Sequence, residues 1–437
     1  MKAFNYKRTK YTCYFASLAM ASAFVLPPLL FATFKELYGI SYTLLGTLVL
    51  VNFCTQLGMD LILSFFSHYF NIHKTIRTMP LITAAGLCVY ALVPFLSPQY
   101  AYIGLVCGTF IFSVASGLAE VLVSPTVAAL PSDTPDKDMS MLHSLYGYGF
   151  VGVVLISTMF LHFIGNKYWV LLTLFWAIPP VIASVMLIKA DLPDMKIGET
   201  ISPSARTRER TKGLILCGIC IFLGGSAENT MSNWISAYTE NALHLPKIWG
   251  DLLGTCLFAA FLALTRTAYS KFGKNIFRTL TVSMLCSVLC YITIALSPNA
   301  TLSLIACVAL GVFSAMLWPG TLILMEKKIP AVGVAAYALM AAGGDLGASV
   351  APQLVGIVVD NVSITDWAST IGSRVSLSAE QIGFKAGMLM AAVFPMLGCF
   401  LLLYMKRFFI GTEAALRPRF PATGPFLPAC PKPLKAF

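Results

Sequence analysis

The sequence predicts an all-α membrane protein whose twelve transmembrane helices form two parallel-related six-helix bundles. Three observations carry that expectation. Hydrophobic residues make up 57% of the 437-residue chain and charged residues only 11%, with a mean hydropathy of +0.78, whereas soluble domains hold about 25% charged residues. Twelve apolar runs recur, at 12–34, 43–66, 78–97, 102–130, 139–163, 168–189, 213–238, 249–268, 279–297, 301–325, 331–359 and 385–406, and each reaches the roughly 20 residues that a helix needs to cross hydrocarbon. The two groups of six also echo each other in sequence, as set out below.

The start, MKAFNYKRTK followed by an apolar run containing Ala21-Ser22-Ala23, imitates a secretory signal. Because no hydrophilic domain follows and removal would leave eleven helices, the first run reads as a retained span. Placing both termini in the cytoplasm leaves only Lys35, Lys167, Lys247, Arg374 and Lys385 of the 30 Lys and Arg outside. This is the asymmetry that orients inner or plasma membrane proteins. The net charge of +11 then reflects topology and anionic lipid rather than a nucleic-acid partner. All cysteines except Cys430 fall in or beside predicted spans, which gives no disulfide framework. Cys217 and Cys220 form a CxxC that, in an apolar helix, reads as packing rather than zinc or redox chemistry.

The boundaries follow from the same pattern: an N-terminal bundle at 1–189, a polar cytoplasmic linker at 190–212, a C-terminal bundle at 213–407, and a Pro-rich basic tail at 408–437 read as disordered. In the first helix Pro27-Pro28 predict a kink or unwinding. The second helix places Asn52, Gln56 and Asp60 along one side, Asp60 reading equally as a helix-packing group or a proton site.

In the fourth helix Ser113, Ser116, Gly117, Glu120 and Ser124 share a polar, small-residue face at steps of three and four. An ionisable group inside hydrocarbon costs several kcal/mol on insertion scales, roughly 2.5 to 3.5 for those measured, and normally faces a bundle interior or a wet cavity. Glu120 is therefore the leading functional candidate, against the alternative that it glues a tight helix pair. Pro125 is expected to break the helix one turn later. In the fifth helix His143, Tyr146, Gly147 and Phe150 share a face. A histidine beside a carboxylate suits proton relay, and an interfacial histidine is the alternative.

The seventh helix has the most polar interior, with Ser226, Glu228, Asn229, Ser232, Asn233, Trp234 and Ser236. Amides beside an indole suit a neutral polyhydroxy solute, since they hydrogen-bond hydroxyls while the ring covers an apolar sugar face. A polar helix interface is the plainer reading. Helix ten carries Trp318-Pro319-Gly320. Helix eleven carries Asp345 among Gly343, Gly344 and Gly347, where it reads equally as a cap, a bridge between packed helices, or a cation ligand.

Leu44-Leu45-Gly46-Thr47 recurs as Leu252-Leu253-Gly254-Thr255, the basic turn SHYFNIHKTIR as SKFGKNIFRT, Pro125 as Pro319, and GYGFVG as GGDLGA. Six helices separate each pair, so the repeats run in the same direction. Such repeats imply two bundles related by an axis along the membrane normal, with a site between them.

This architecture resembles the major facilitator superfamily from about residue 12 to 407. The superfamily's motif after its second helix survives as Ser67-His68-Tyr69-Phe70-Asn71 and, after the eighth, as Ser270-Lys271-Phe272-Gly273-Lys274, both copies lacking the aspartate. Within it, SGLAEVLVSPTVAALPS followed by Gly-x-Gly, and the helix-seven GSAEN…W…Y pattern, look like the fucose permease group of proton–sugar symporters. That resemblance implies a carboxylate at Glu120 that binds substrate and couples protons. The group's other acid, in helix one, has no counterpart.

The expected function is thus a monomeric secondary transporter taking up a sugar or similar solute with protons. Glu120, His143 and Asp60 would handle the proton; Glu120, Gln56, Glu228, Asn229, Asn233, Trp234, Trp318 and Asp345 would handle the solute. The runner-up is a proton-antiport exporter of drugs or metabolites. The absence of a G-x-x-x-x-G-K-[ST] loop argues against an ATP-driven pump, no hydrolytic triad or cofactor motif stands out, and no histidine or cysteine pair sits at metal-ligand spacing with a carboxylate.

Overall fold

A computed structural model describes residues 6–66, 69–133, 135–193, 208–273, 275–329 and 334–416. The described residues are helical, without strands. Twelve helices are long and apolar enough to cross a membrane: Tyr6–Leu29, Tyr42–Leu63, Ile72–Leu96, Pro98–Ser124, Ser144–Ile164 and Asn166–Ile188 in the first half, and Glu209–Asn241, Lys247–Tyr269, Ile276–Leu296, Ala300–Lys328, Leu339–Ser363 and Ala379–Ile410 in the second. They are spans 1 to 12 below. An even number of crossings puts Tyr6 and Leu416, the first and last described residues, at one end of the molecule, the near end. The linker residues 194–207 and the tail beyond Leu416 lie outside the described residues, but the last helix continues to Leu416 rather than stopping at the predicted tail boundary.

Local breaks follow the backbone chemistry. Span 1 ends at Leu29, directly after Pro27 and Pro28, which lack the amide hydrogens a helix needs to continue. A short helix, Phe31–Tyr38, follows and closes on Gly39 at φ +64°, the left-handed geometry that suits glycine. Pro125 does not break span 4's helix, which runs on to Ala128. Span 10 does break, between Ser314 and Leu317, just before Trp318-Pro319. Span 8 opens with a π-helical stretch, Gly250–Cys256. Cys217 and Cys220 are buried free thiols, consistent with packing.

The two halves meet along two seams. Spans 2 and 11 run antiparallel: Gly46 lies against Pro352 and Gln353, and Gly356 lies against Tyr42. A Cβ on Gly356 would fall 2.3 Å from the Tyr42 carbonyl oxygen, so only glycine admits this approach. At the far end Asp360 of span 11 receives the amides of Tyr42 and Thr43, at 3.1 and 2.6 Å. These are the orphan donors at the start of span 2, where the helix dipole also favours an anion. Tyr42 donates its hydroxyl to Glu380 at 2.6 Å, and Lys35 joins Glu380 at 3.2 Å while lying 3.9 Å over the Tyr42 ring. Lys35 and Glu380 are both about a third exposed, so that ion pair adds little by itself.

The second seam pairs spans 5 and 8. Thr158 donates to Asp251 at 3.3 Å. Asp251, 1% exposed, also accepts from Ser236 at 2.5 Å and pairs with Lys247 at 3.4 Å. Between the seams a far-end aromatic cluster joins Phe31 and Tyr42 of the first half to Trp234 and Phe384 of the second. The far end is therefore closed by contacts between the halves.

Within the first half, near-end packing centres on Asp138. Its carboxylate accepts from Ser132 at 2.7 Å, from Lys10 at 3.0 Å and from Tyr14 at 3.2 Å. The Ser132 hydroxyl, and then Lys10, hold its pKa below the ordinary carboxylate value.

Two predictions follow from these contacts. Asp360→Asn removes the charge from a cap of a kind worth roughly 1.5–3 kcal/mol, which shifts an open–closed equilibrium by roughly ten- to a hundredfold. In a cysteine-free background carrying Asn233→Cys, far-side labelling by an impermeant thiol reagent should accelerate accordingly; an unchanged rate would show that the cap does not hold the far end shut. For Asp138 the folded pKa is depressed, so its contribution is present above the unfolded value of about 3.9 and is lost as pH falls through the folded one. Thermal melts from pH 6 to pH 3 should therefore fall more steeply in the parent than in Asp138→Asn, and parallel curves would contradict it.

Candidate functional site

Three carboxylates predicted from separate stretches of sequence come together. Asp60 of span 2, Glu120 of span 4 and Asp345 of span 11 each direct one carboxylate oxygen into a group within 4.8 Å of one another. Their convergence is a consequence of register. Spans 2 and 11 face each other with Tyr42 at Asp360 and Gly46 at Gln353, and the same antiparallel pairing continued towards the near end sets Asp60 opposite Asp345. At a rise of about 1.5 Å per residue, the seam from far-end cap to acid pair is roughly 25 Å long. Gly117 presses the span 4 backbone onto Gln56 and Met59, one turn from Glu120, and so brings Glu120 beside Asp60.

The three differ in surroundings. Asp60 is 3% exposed and Asp345 2%, while Glu120 is exposed. Neither oxygen of Asp60, nor Oδ2 of Asp345, finds a donor. Asp60 and Asp345 stand close enough to hydrogen-bond each other, which requires a proton on one of them. Among the described residues, no lysine or arginine forms an ion pair with any of the three.

A second polar group lies beside it. Glu228 of span 7 accepts from Arg266 of span 8 at 2.7 Å, and Arg266 also donates to the Ala315 carbonyl at 2.9 Å, at the break in span 10. Tyr146 of span 5 lies within electrostatic reach of Arg266, Glu228 and Glu120, with its ring edge-on to Phe24. Arg266 was not expected here, because in sequence it reads as the first member of the basic turn after helix eight. Its separation from Lys271 by four uncharged residues was the available signal.

The remaining predicted residues are distributed more widely. Gln56 donates to Asn52 at 3.1 Å, and Asn52 accepts from Ser113 at 2.6 Å, forming a polar ladder between spans 2 and 4. Asn229 and Asn233 return their amide hydrogens to carbonyls of their own helix, and Asn233 faces a small pocket across from Asn52 and Thr109. Trp318 lays its ring on Gly344, next to Asp345. Trp234 departs from the expectation of a ring facing the solute. It is fully buried, donates its indole N–H to the Pro352 carbonyl at 3.0 Å and packs in the far-end cluster, because the closed seam supplies an acceptor and aromatic partners. The side chain of His143 lies outside the described residues. The three carboxylates come from separate helices and approach one another only in the fold.

Comparison with known proteins agrees with this architecture. No curated protein sequence matches significantly. Among solved structures, a bacterial homolog of the human lysosomal transporter Spinster aligns at TM-score 0.68 and 13% identity, covering 94% of this chain and 98% of that one. A D-xylose–proton symporter aligns at 0.68 and 14%, covering 89% and 96%. The E. coli fucose:proton symporter aligns at 0.58 and 11%, covering 92% and 99%. At these identities the likeness establishes the fold. The sequence itself matches the Major Facilitator Superfamily over residues 12–352, and with twelve spans in two facing halves the chain belongs to that family of membrane transporters.

Proposed function

We propose that the chain is a secondary active transporter that takes up a sugar or similar small polar solute together with protons, as a monomer in the inner or plasma membrane with both termini cytoplasmic. The observation that carries this reading is Glu120, an exposed carboxylate on a membrane span, set against two buried acids at the meeting of the halves. Intramembrane acids so placed mark ion and substrate pathways. The polar face of span 7, with Glu228, Asn229 and Asn233, and the Asn52–Gln56 ladder opposite supply the donors and acceptors a hydroxylated solute needs. The proton–sugar activities named for the xylose and fucose symporters accord with it.

Transport proceeds by alternating access. Protonation of Glu120 from outside precedes solute binding; the far-end contacts at Asp360 and Asp251 then close behind the solute, and Glu120 releases its proton to the near side. Arg266 holds Glu228 in place and keeps its charge compensated, so that Tyr146 and Glu120 face a balanced rather than a doubly negative wall.

Proteoliposomes given an inward proton gradient and a labelled sugar panel test this. The parent should concentrate at least one sugar, and Glu120→Gln should retain exchange but lose gradient-driven accumulation. If no sugar moves, or the variant responds to the gradient as steeply as the parent, the symport reading fails and proton-antiport export takes its place. The pairing of Glu228 is tested separately. Removing one member of a buried ion pair costs about 3–5 kcal/mol, less here because Arg266 is about one-third exposed. Arg266→Gln should therefore lower the melting temperature, and Arg266→Gln with Glu228→Gln should recover most of the loss, whereas additive losses would show the pair is uncoupled.

A further inference from the structure

We propose that Asp60, Glu120 and Asp345 form a binding site for one hard divalent metal ion held between the two halves. This goes beyond the solute reading and does not depend on it.

The donor set points to that chemistry. Oxygen ligands sharing a calcium-sized ion lie about 2.3–2.6 Å from its centre, and therefore up to about 5 Å from one another. The three carboxylate oxygens fall within 4.8 Å of each other. An all-oxygen, all-anionic set without nitrogen or sulfur selects calcium, manganese or magnesium over zinc or copper, and the spacing favours the larger ions.

The second observation is independent of the clustering. Asp60 is almost wholly buried, yet both of its oxygens lack a donor, as does Oδ2 of the equally buried Asp345. Buried carboxylates are normally hydrogen-bonded, paired or coordinating a metal. The basic residue of the adjoining group, Arg266, is engaged with Glu228 and the Ala315 carbonyl, which leaves the acids without a compensating side chain among the described residues. Glu120, exposed beside them, supplies a way in for an ion.

Because Asp60 and Glu120 belong to one half and Asp345 to the other, a bound ion ties the halves together at the near end of the span 2–span 11 seam. Ion binding then favours the arrangement in which the three meet, as linkage requires of any ligand that needs both halves.

The test uses the full chain, purified in detergent, stripped with EDTA and titrated with Mn2+ while the free-ion paramagnetic resonance signal is followed. One ion should bind per chain, displaceable by Ca2+. Asp60→Asn, Glu120→Gln and Asp345→Asn should each weaken binding at least tenfold, while Asp138→Asn, outside the site, binds as the parent does. Folding is checked by melting without metal, where Asp60→Asn and Asp345→Asn should be no less stable than the parent because each removes an unpaired buried charge. Added Mn2+ should raise the melting temperatures of the parent and of Asp138→Asn alike, and those of the three site variants less.

Absence of saturable binding below about millimolar, the weak end for protein Ca2+ sites, overturns the proposal, as does parent-like binding by folded variants. In that case a shared proton satisfies Asp60 and Asp345. Gradient-driven sugar uptake that persists in EDTA, with no Mn2+ bound, removes the metal site and leaves the symport reading standing. Stoichiometric Mn2+ binding without any gradient-driven uptake supports the site and removes the symport reading.

Discussion

The antiparallel seam between spans 2 and 11 governs the rest of the molecule. Two helices from different halves lie backbone against backbone because Gly46 and Gly356 carry no Cβ where the partner chain passes. Close approach of this kind is how helices associate in lipid, where apolar side chains gain nothing by leaving hydrocarbon for one another. The far-end cap on Tyr42 and Thr43 fixes the register of the pair, and the register places Asp60 opposite Asp345. Far-end closure and near-end acid cluster are thus two ends of one structural element.

Charge placement shows the same economy. Asp360 satisfies amides that have no partner in their own helix, and Asp251 gathers a threonine, a serine and a lysine across the other seam. Both acids serve closure of the far end and are fully occupied. Asp60 and Asp345, buried as deeply as Asp251, are not. A membrane interior tolerates a buried acid only when something neutralises it, so the contrast between occupied and unoccupied acids separates those that build the fold from those available to a ligand or proton.

The polar residues of span 7 divide along its length in a comparable way. Toward the middle, Glu228 meets Arg266 and the electrostatic field around Tyr146 and Glu120. Two turns further, Trp234 and Tyr238 are sealed into the core, each donating to a carbonyl of another helix, at Pro352 and Ile294. The same helix therefore contributes to the site at one level and to the closed gate at the next, and a solute leaving or entering from the far end has to displace the aromatic cluster around Trp234.

The amino-acid sequence by itself determined the twelve spans, the two six-helix halves and the candidacy of Glu120, Asp60 and Asp345, since hydrophobic length and an ionisable residue within an apolar run are local properties that survive any packing. It also announced the break at Pro27-Pro28, where the missing amide hydrogen is encoded in the residue itself, although the same signal at Pro125 produced no break. Which acids meet, that Arg266 turns inward to Glu228 instead of joining the basic turn, and that Trp234 faces the gate instead of the solute were decided only by the tertiary structure. Those outcomes depend on the register between helices some 285 residues apart in sequence, such as those bearing Asp60 and Asp345, and on which carbonyls the opposite half presents, neither of which leaves a periodic trace along a single chain.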